Sequence, residues 1–191
     1  MQSRAGRISP AKLAHVVCLT KQLPEMRRWY MTVLNASVSI ENNQLCFLRY
    51  DDEHHRIGLI RHEGASDQAP GPIVGVHHIA FTFGDLGELL GTFARLKEAG
   101  IEPFWCINHG ATTSIYYRDP DANRIELQVD NFDVAACDEY LASGALDENP
   151  IGVIFDPEDW IRRYASGEPE ESLTARPRLA DGVSPFEQMR D

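Results

Sequence analysis

Two histidines and one glutamate stand out because they occupy related positions in short apolar runs. His15 and His78 are each the third residue of an eight-residue apolar run, residues 13–20 and 76–83, and Glu126 lies in the middle of a later run. Two neutral imidazoles and one carboxylate are the ligand set of many non-haem Fe(II) sites, and they leave coordination positions open. These three residues are therefore the candidate metal ligands.

Strand periodicity predicts where two of these side chains point. Ile79 and Phe81 share one face, which leaves His78 on the other, and the apolar neighbours of Glu126 leave its carboxylate on the face opposite to theirs. A carboxylate in the middle of a strand is costly unless it is paired or metal-bound. A salt bridge between Glu126 and Arg124 is the competing explanation, but it does not account for the histidines.

The two histidine runs begin two copies of one repeat. Each run is followed by a helix candidate, Leu23–Asn35 in the first copy and Asp85–Ala99 in the second, and then by three short strand candidates. Residues 12–62 and 74–130 therefore each read β-α-β-β-β. One such module is too small to bury its sheet alone. We expect an α+β domain over residues 12–130, in which the two tandem modules form one curved mixed sheet around a metal cavity.

The repeat also predicts that the metal site is open. Residues 55–59 align without gaps with residues 123–127, so Gly58 stands at the position equivalent to Glu126. Glycine has no side chain that could serve as a fourth ligand. Three protein ligands suit a reaction in which the substrate chelates the metal while O2 also binds.

Residues 131–191 lie outside the repeat and are predicted to form a C-terminal arm, partly helical and partly extended. Phe132–Ser143 and Pro157–Ala165 are the helix candidates. From Ser166 onward the chain is polar and rich in Pro, Arg and Glu, which favours an extended arm or a disordered tail. One interpretation is an arm that wraps over a partner subunit, and we expect a homo-oligomer.

Composition narrows the class of protein. The net charge of −11 argues against nucleic-acid binding and favours a neutral substrate over an anionic one. No apolar run is long enough to cross a bilayer, and residues 1–11 lack the apolar core of a secretory signal. The four cysteines are widely spaced and form no CxxC pair, which disfavours a zinc site or a disulfide framework. We therefore expect a cytoplasmic enzyme without nucleic-acid or membrane partners.

The paired modules, with the three candidate ligands in place, resemble the vicinal oxygen chelate superfamily. Within it, residues 53–59, 76–81 and 114–126, the last with the stretch Tyr-x-x-Asp-Pro, resemble the catalytic half of type I extradiol ring-cleaving dioxygenases. The chain resembles the one-domain members, whose pocket is completed by another subunit or by a C-terminal segment. The resemblance implies Fe(II), or Mn(II) as in some members, and as substrates O2 and a small aromatic diol of the catechol type.

The resemblance also implies three catalytic residues. His55 matches the family's acid/base histidine, although strict alternation counted back from Gly58 favours His54 unless the strand begins after His55. Tyr116 matches the tyrosine that hydrogen-bonds the substrate hydroxyl. His109 resembles a further histidine near the bound substrate or oxygen.

Two other functional classes stay open. One is a different metalloenzyme of the same superfamily: an isomerase, a lyase or a thiol transferase. Isomerases and lyases of this kind generally use a fourth protein ligand, which Gly58 does not supply, and the transferase would favour a cationic pocket. The other class is a metal-free protein that binds an aromatic drug, for which the three ligands would serve no purpose.

Overall fold

The computed structural model describes residues 8–68, 71 and 74–190. The chain divides into two compact units, Met1–Ser66 and Asp67–Asp191. Each unit contains one of the two predicted modules. Within the described residues, no helix is both long and apolar enough to span a membrane.

The described residues of the first unit form a four-stranded sheet and one helix. Its elements are β1 (Val16–Thr20), α1 (Leu23–Val33), β2 (Ser37–Glu41), β3 (Leu45–Arg49) and β4 (Ile57–Arg61). The strand order is β1-β4-β3-β2, with β1 parallel to β4 and the other pairs antiparallel. Apolar residues at helical spacing, among them Met26, Tyr30 and Val33, are buried on α1. The helix packs on β3 and β4.

The second unit repeats this arrangement and extends it by one strand. Its elements are β5 (Ile79–Thr82), α2 (Leu86–Glu98), β6 (Trp105–Asn108), β7 (Thr112–Arg118), β8 (Arg124–Asp130) and the short β9 (Val153–Ile154). The strand order is β5-β8-β7-β6-β9, and only β5 and β8 pair in parallel. Asp85 begins α2 by accepting a hydrogen bond from the Glu88 backbone N–H at 2.8 Å, a standard helix cap.

The predicted α+β class and the β-α-β-β-β order of both modules are confirmed. The prediction of one continuous curved sheet is corrected, because the hydrogen-bonded strands form two separate sheets, one in each unit. The first strand of each module pairs with the last strand of the same module, β1 with β4 and β5 with β8. These two pairings join the beginning and the end of each repeat within one sheet.

The C-terminal segment folds onto the second unit. The two predicted helices are confirmed as α3 (Val134–Ala142) and α5 (Pro157–Ala165), and α4 (Ala145–Glu148) precedes β9. Beyond Ser166, where an extended arm or a disordered tail was predicted, the chain forms α6 (Glu170–Thr174) and a 3-10 turn at Pro185–Gln188. Single buried apolar side chains pack this polar stretch against the rest of the unit. Leu173, for example, is only 3% exposed.

Candidate active site

In the second unit, one row of side chains crosses a face of the sheet. The backbone register pairs Ala80 with Glu126, Glu126 with Tyr116, and Tyr116 with Trp105. Residues directly opposite each other in a sheet point to the same face. His78 precedes Ala80 by two residues, so alternation places its side chain on that face as well. The second module therefore supplies His78, Glu126 and Tyr116 side by side, as the alternation predicted for the first two.

Glu126 is a buried carboxylate with three hydrogen-bond donors. It is 4% exposed, and its Oε2 lies 3.0 Å from His78 Nε2. Burial alone would raise its pKa, but hydrogen bonds from His78, Ser114 and Tyr116 outweigh burial and hold the pKa below its usual value. Glu126 is therefore ionised at neutral pH. The Arg124 guanidinium, the competing partner considered from the sequence, donates to His77 Nε2.

The pair His78 and Glu126 fits a metal ion. Donor atoms in such sites lie roughly 2.1 Å from the ion, so two donors at right angles are about 3.0 Å apart. The distance between His78 Nε2 and Glu126 Oε2 is 3.0 Å. A borderline imidazole and a hard carboxylate also suit Fe(II) or Mn(II) better than a thiolate-preferring metal. The chemistry and the spacing of this pair are thus compatible with a non-haem metal ion.

Tyr116 and His109 extend this network away from Glu126. The His109 ring contacts the Ile151 carbonyl through Nδ1 and the Tyr116 hydroxyl through Nε2, the latter at 3.0 Å. A carbonyl only accepts, so Nδ1 carries the proton, and Nε2 of the neutral ring accepts from Tyr116. Burial lowers the pKa of His109 and outweighs the opposing effects of the Ile151 carbonyl and Glu126. Burial and the charge of Glu126 raise the pKa of Tyr116.

These pKa shifts determine which of the two side chains carry a proton and which are neutral. His109 is neutral and Tyr116 is a protonated phenol under physiological conditions. The phenol has one proton and two acceptors within reach, the carboxylate of Glu126 and Nε2 of His109. Tyr116 can therefore donate to either of them without itself changing charge.

In the first unit, His55 lies within an aromatic stack. Its ring is parallel to that of Phe47 at a centroid distance of 4.2 Å, and it stacks on His15 at 4.3 Å. His55 is 8% exposed, and its Nδ1 faces Nδ1 of His54. Burial, followed by the neighbouring His15 and His54, lowers the pKa of His55. His54 itself is exposed and lies beside Glu53.

The residue at which β4 begins helps to choose between His54 and His55 as the predicted acid/base residue. β4 begins at Ile57, after His55, which is the condition under which His55 was preferred. The register of the first unit pairs Val17 with Gly58 and Gly58 with Phe47, which matches the register around Glu126 in the second unit. Gly58 therefore occupies the place of Glu126 in its own module. A Cβ there would meet Val17 Cγ2 at 3.1 Å.

The predicted site residues thus form two local groups. The second unit brings together His78, Glu126, Tyr116 and His109, and the first unit brings together His15 and His55. Among the described residues, no three or more His, Cys, Asp or Glu side chains stand close enough to hold a metal ion as a group. The assignment of His15 as the third ligand stays a prediction, as do the catalytic roles.

Two contributors were not singled out from the sequence. Ser114 hydrogen-bonds Glu126, and strand alternation two residues before Tyr116 was a signal that could have found it. His77 contacts His78, with 2.8 Å between the two Nδ1 atoms, and also accepts from Arg124. No periodicity predicts that contact, because the two histidines are adjacent and point in different directions.

The two-module fold and the His and Glu side chains of this site together define a known class of protein. The chain belongs to the glyoxalase/bleomycin resistance protein/dioxygenase superfamily, whose family model matches residues 12–127. It is 43% identical over 164 residues to biphenyl-2,3-diol 1,2-dioxygenase 2 of Rhodococcus globerulus, covering 85% of this chain and 86% of that protein. It is 44% identical over 168 residues to biphenyl-2,3-diol 1,2-dioxygenase 3 of the same organism, covering 86% and 88%.

Solved structures show the same fold at lower identity. A lactoylglutathione lyase from Agrobacterium tumefaciens matches with a TM-score of 0.51 at 21% identity, covering 63% of this chain and 94% of that one. A glyoxalase/bleomycin resistance protein/dioxygenase domain from Frankia sp. EAN1pec matches with a TM-score of 0.53 at 20% identity, covering 64% and 93%. At these identities the similarity concerns the fold alone.

Proposed function

We propose that this chain is an extradiol dioxygenase, which opens the ring of a catechol-type diol with O2 at a non-haem metal held by His15, His78 and Glu126. The observation that carries the proposal is the buried, ionised Glu126, held by His78 and Tyr116 with neutral His109 behind the tyrosine. Relatives named biphenyl-2,3-diol 1,2-dioxygenase, similar over most of both chains, support the same reaction class.

The metal, when bound, supplies a place where the diol and O2 lie side by side and through which electrons pass between them. Extradiol dioxygenases of this superfamily use a non-haem metal. Two imidazoles and one carboxylate favour Fe(II), with Mn(II) as the alternative. Because Gly58 has no side chain, it would add no fourth ligand to a metal held by these three residues.

Side chains of this protein accept and return the proton that the diol loses. A diol that binds through both oxygens must lose a proton, and His55 is the base that takes it, because its lowered pKa keeps the ring neutral and able to accept. The His55 imidazole returns this proton when the substrate ring opens. The imidazole is therefore neutral again at the end of each turnover. Tyr116 stays protonated and donates its one proton to a substrate oxygen, in place of the hydrogen bond to Glu126 or to His109 Nε2 that it makes in the metal-free chain.

The substrate class follows from charge and from the relatives. The net charge of −11 does not attract anions, so a neutral diol fits better than a phosphorylated or carboxylated one. Biphenyl-2,3-diol is the first compound to test, since it is the substrate in the names of both relatives. The homo-oligomer stays a prediction, which sedimentation equilibrium would test.

Anaerobic loading of the purified chain with Fe(II) or Mn(II), followed by a diol panel in air, tests the proposal. The panel contains catechol, biphenyl-2,3-diol and hydroquinone. We expect a yellow ring-fission product that fades on acidification, with biphenyl-2,3-diol or catechol and with one of the two metals. No product across the panel would contradict extradiol cleavage, and tight diol binding without turnover or metal would favour the metal-free binding class.

A further inference from the structure

A turn in the C-terminal segment presents a carbonyl to His109. Asn149 is 8% exposed, and its Oδ1 accepts from the backbone N–H groups of Ile151 at 3.1 Å and Gly152 at 2.8 Å. Its Nδ2 donates to the Gly152 carbonyl at 3.0 Å. Gly152 has a φ of +124°, and a Cβ there would lie 2.4 Å from the Asn108 carbonyl. Glycine thus lets the turn approach β6 closely, so that the Ile151 carbonyl meets His109 Nδ1.

Arg176 joins this turn to the end of β6. Its Nη1 donates to the His109 carbonyl at 3.0 Å and to the Asn149 carbonyl at 2.8 Å, and its Nη2 donates to the Ala145 carbonyl at 2.9 Å. A guanidinium has several donors in a fixed plane, so one side chain can bridge three carbonyls. The positive charge also lies 5.6 Å from the centre of the Tyr140 ring. Arg176 therefore fixes the backbone of His109 relative to the turn that holds its ring.

Neighbours of His109 and Tyr116 are held by the same segment. The buried Asn108 donates from Nδ2 to the Thr174 carbonyl at 2.7 Å. Trp105 donates from Nε1 to the Gln188 carbonyl at 2.8 Å, and its ring stacks on Tyr116 at a centroid distance of 4.8 Å. Residues outside the repeated modules thus contact the strand that carries Trp105 and the ring that backs Tyr116.

We propose that Arg176 and Asn149 are positioning residues, which place the Ile151 carbonyl so that His109 is fixed in the form protonated on Nδ1, with Nε2 free to accept from Tyr116. The catalytic meaning of this arrangement rests on the proposed function, whereas the protonated nitrogen is a property of the folded chain. If the carbonyl moved away, the proton could shift to Nε2. That Nε2–H would then donate to the Tyr116 oxygen, and the phenol would keep only Glu126 as an acceptor for its proton.

Nitrogen-15 NMR of the histidine rings in the metal-free chain of 191 residues tests the proposal. His109→Gln assigns the His109 signals. We expect a protonated Nδ1 and a bare Nε2 in the unsubstituted chain. In Arg176→Met and Asn149→Ala, we expect a detectable population protonated on Nε2. Arg162→Met is the matched control, because Arg162 pairs with Asp159 within α5, and it should keep the original pattern.

Two variants, Arg176→Met and Asn149→Ala, are used so that the test still gives an answer if one of them does not fold. Asn149→Ala removes the side chain that closes the turn but keeps the backbone carbonyl to which Arg176 donates. If Arg176→Met does not fold, Asn149→Ala alone therefore decides the question. In the metal-loaded enzyme, we expect both variants to lower kcat about tenfold or more while KM changes little, because they misplace a group rather than remove a substrate contact.

Failure of this inference can be told apart from failure of the proposed function. Nε2 protonated in the unsubstituted chain would overturn the inference, and so would an unchanged His109 pattern in a folded Asn149→Ala chain. Either result could accompany normal ring cleavage. Conversely, a chain with the expected His109 form that cleaves no diol would contradict the proposed function and leave the positioning role intact.

Discussion

Replacing Tyr116 with phenylalanine removes one buried hydroxyl whose partners are His109, Glu126 and Ser114. Tyr116 is 3% exposed, its hydroxyl lies 3.0 Å from His109 Nε2, and it hydrogen-bonds the charged Glu126. A hydrogen bond to a charged group contributes roughly 1.5–3 kcal/mol. We expect Tyr116→Phe to lower the free energy of unfolding of the metal-free chain by about that amount. The pKa of Glu126 should rise, because one of its three donors is lost.

The effect on catalysis follows from the same bond. If the hydroxyl is equally important when the substrate is bound, a loss of about 1.5–3 kcal/mol corresponds to a roughly 10- to 150-fold decrease in kcat/KM. The assays are urea unfolding of the metal-free chain and initial rates of ring cleavage with biphenyl-2,3-diol.

The adjacent Tyr117 provides a matched control. It is 0% exposed, and its hydroxyl is buried with no hydrogen-bond partner among the described residues. Tyr117→Phe removes the same atom without breaking a bond, so its stability should be unchanged or increased by up to about 1 kcal/mol. Its rate of ring cleavage should match that of the unsubstituted chain. Equal losses in the two variants would refute the reasoning, because they would show that the Tyr116 hydroxyl has no special bonding role.

Two further predictions concern the histidines. His55→Ala should keep the metal but slow turnover by roughly 100-fold or more. His62→Ala is the control and should have no effect on the rate, because His62 is exposed. A full rate in His55→Ala would transfer the acid/base role to His54 or His109. Burial lowers the pKa of His109, so below about pH 6.5 the unfolded chain takes up a proton that the folded chain resists, and stability falls as the pH decreases. His109→Gln should therefore show a shallower decrease in melting temperature between about pH 7 and 5, and an identical slope would count against the buried neutral ring.

The sequence predicted the elements well because their signals are local. Alternating apolar residues and helical spacing placed both modules, and Pro157–Ala165 has the predicted bounds. The number of sheets was missed because it depends on which strands pair, and local patterns do not determine pairing. The order beyond Ser166 was missed because single anchors such as Leu173, separated by polar residues, leave no periodicity.

The candidate site was predictable to the extent that it follows the repeat. Alternation placed His78 and Glu126 on one face, and the register around Gly58 agrees with the alignment of the two modules. The contributions of Arg176 and Asn149 had no such signal. Both act through backbone carbonyls, and Arg176 reaches the His109 carbonyl from 67 positions away. Contacts of that kind depend on tertiary packing rather than on the pattern of side chains.

The metal content of the chain and of its Glu126→Ala variant tests the central claim most directly. Both proteins, together with His62→Ala as a control, are loaded anaerobically with Fe(II), desalted and analysed for iron per chain. We predict about one iron in the unsubstituted chain and in His62→Ala, and almost none in Glu126→Ala, because three ligands are the minimum for a facial site. Equal iron in Glu126→Ala and the unsubstituted chain would contradict the assignment of Glu126 as a metal ligand.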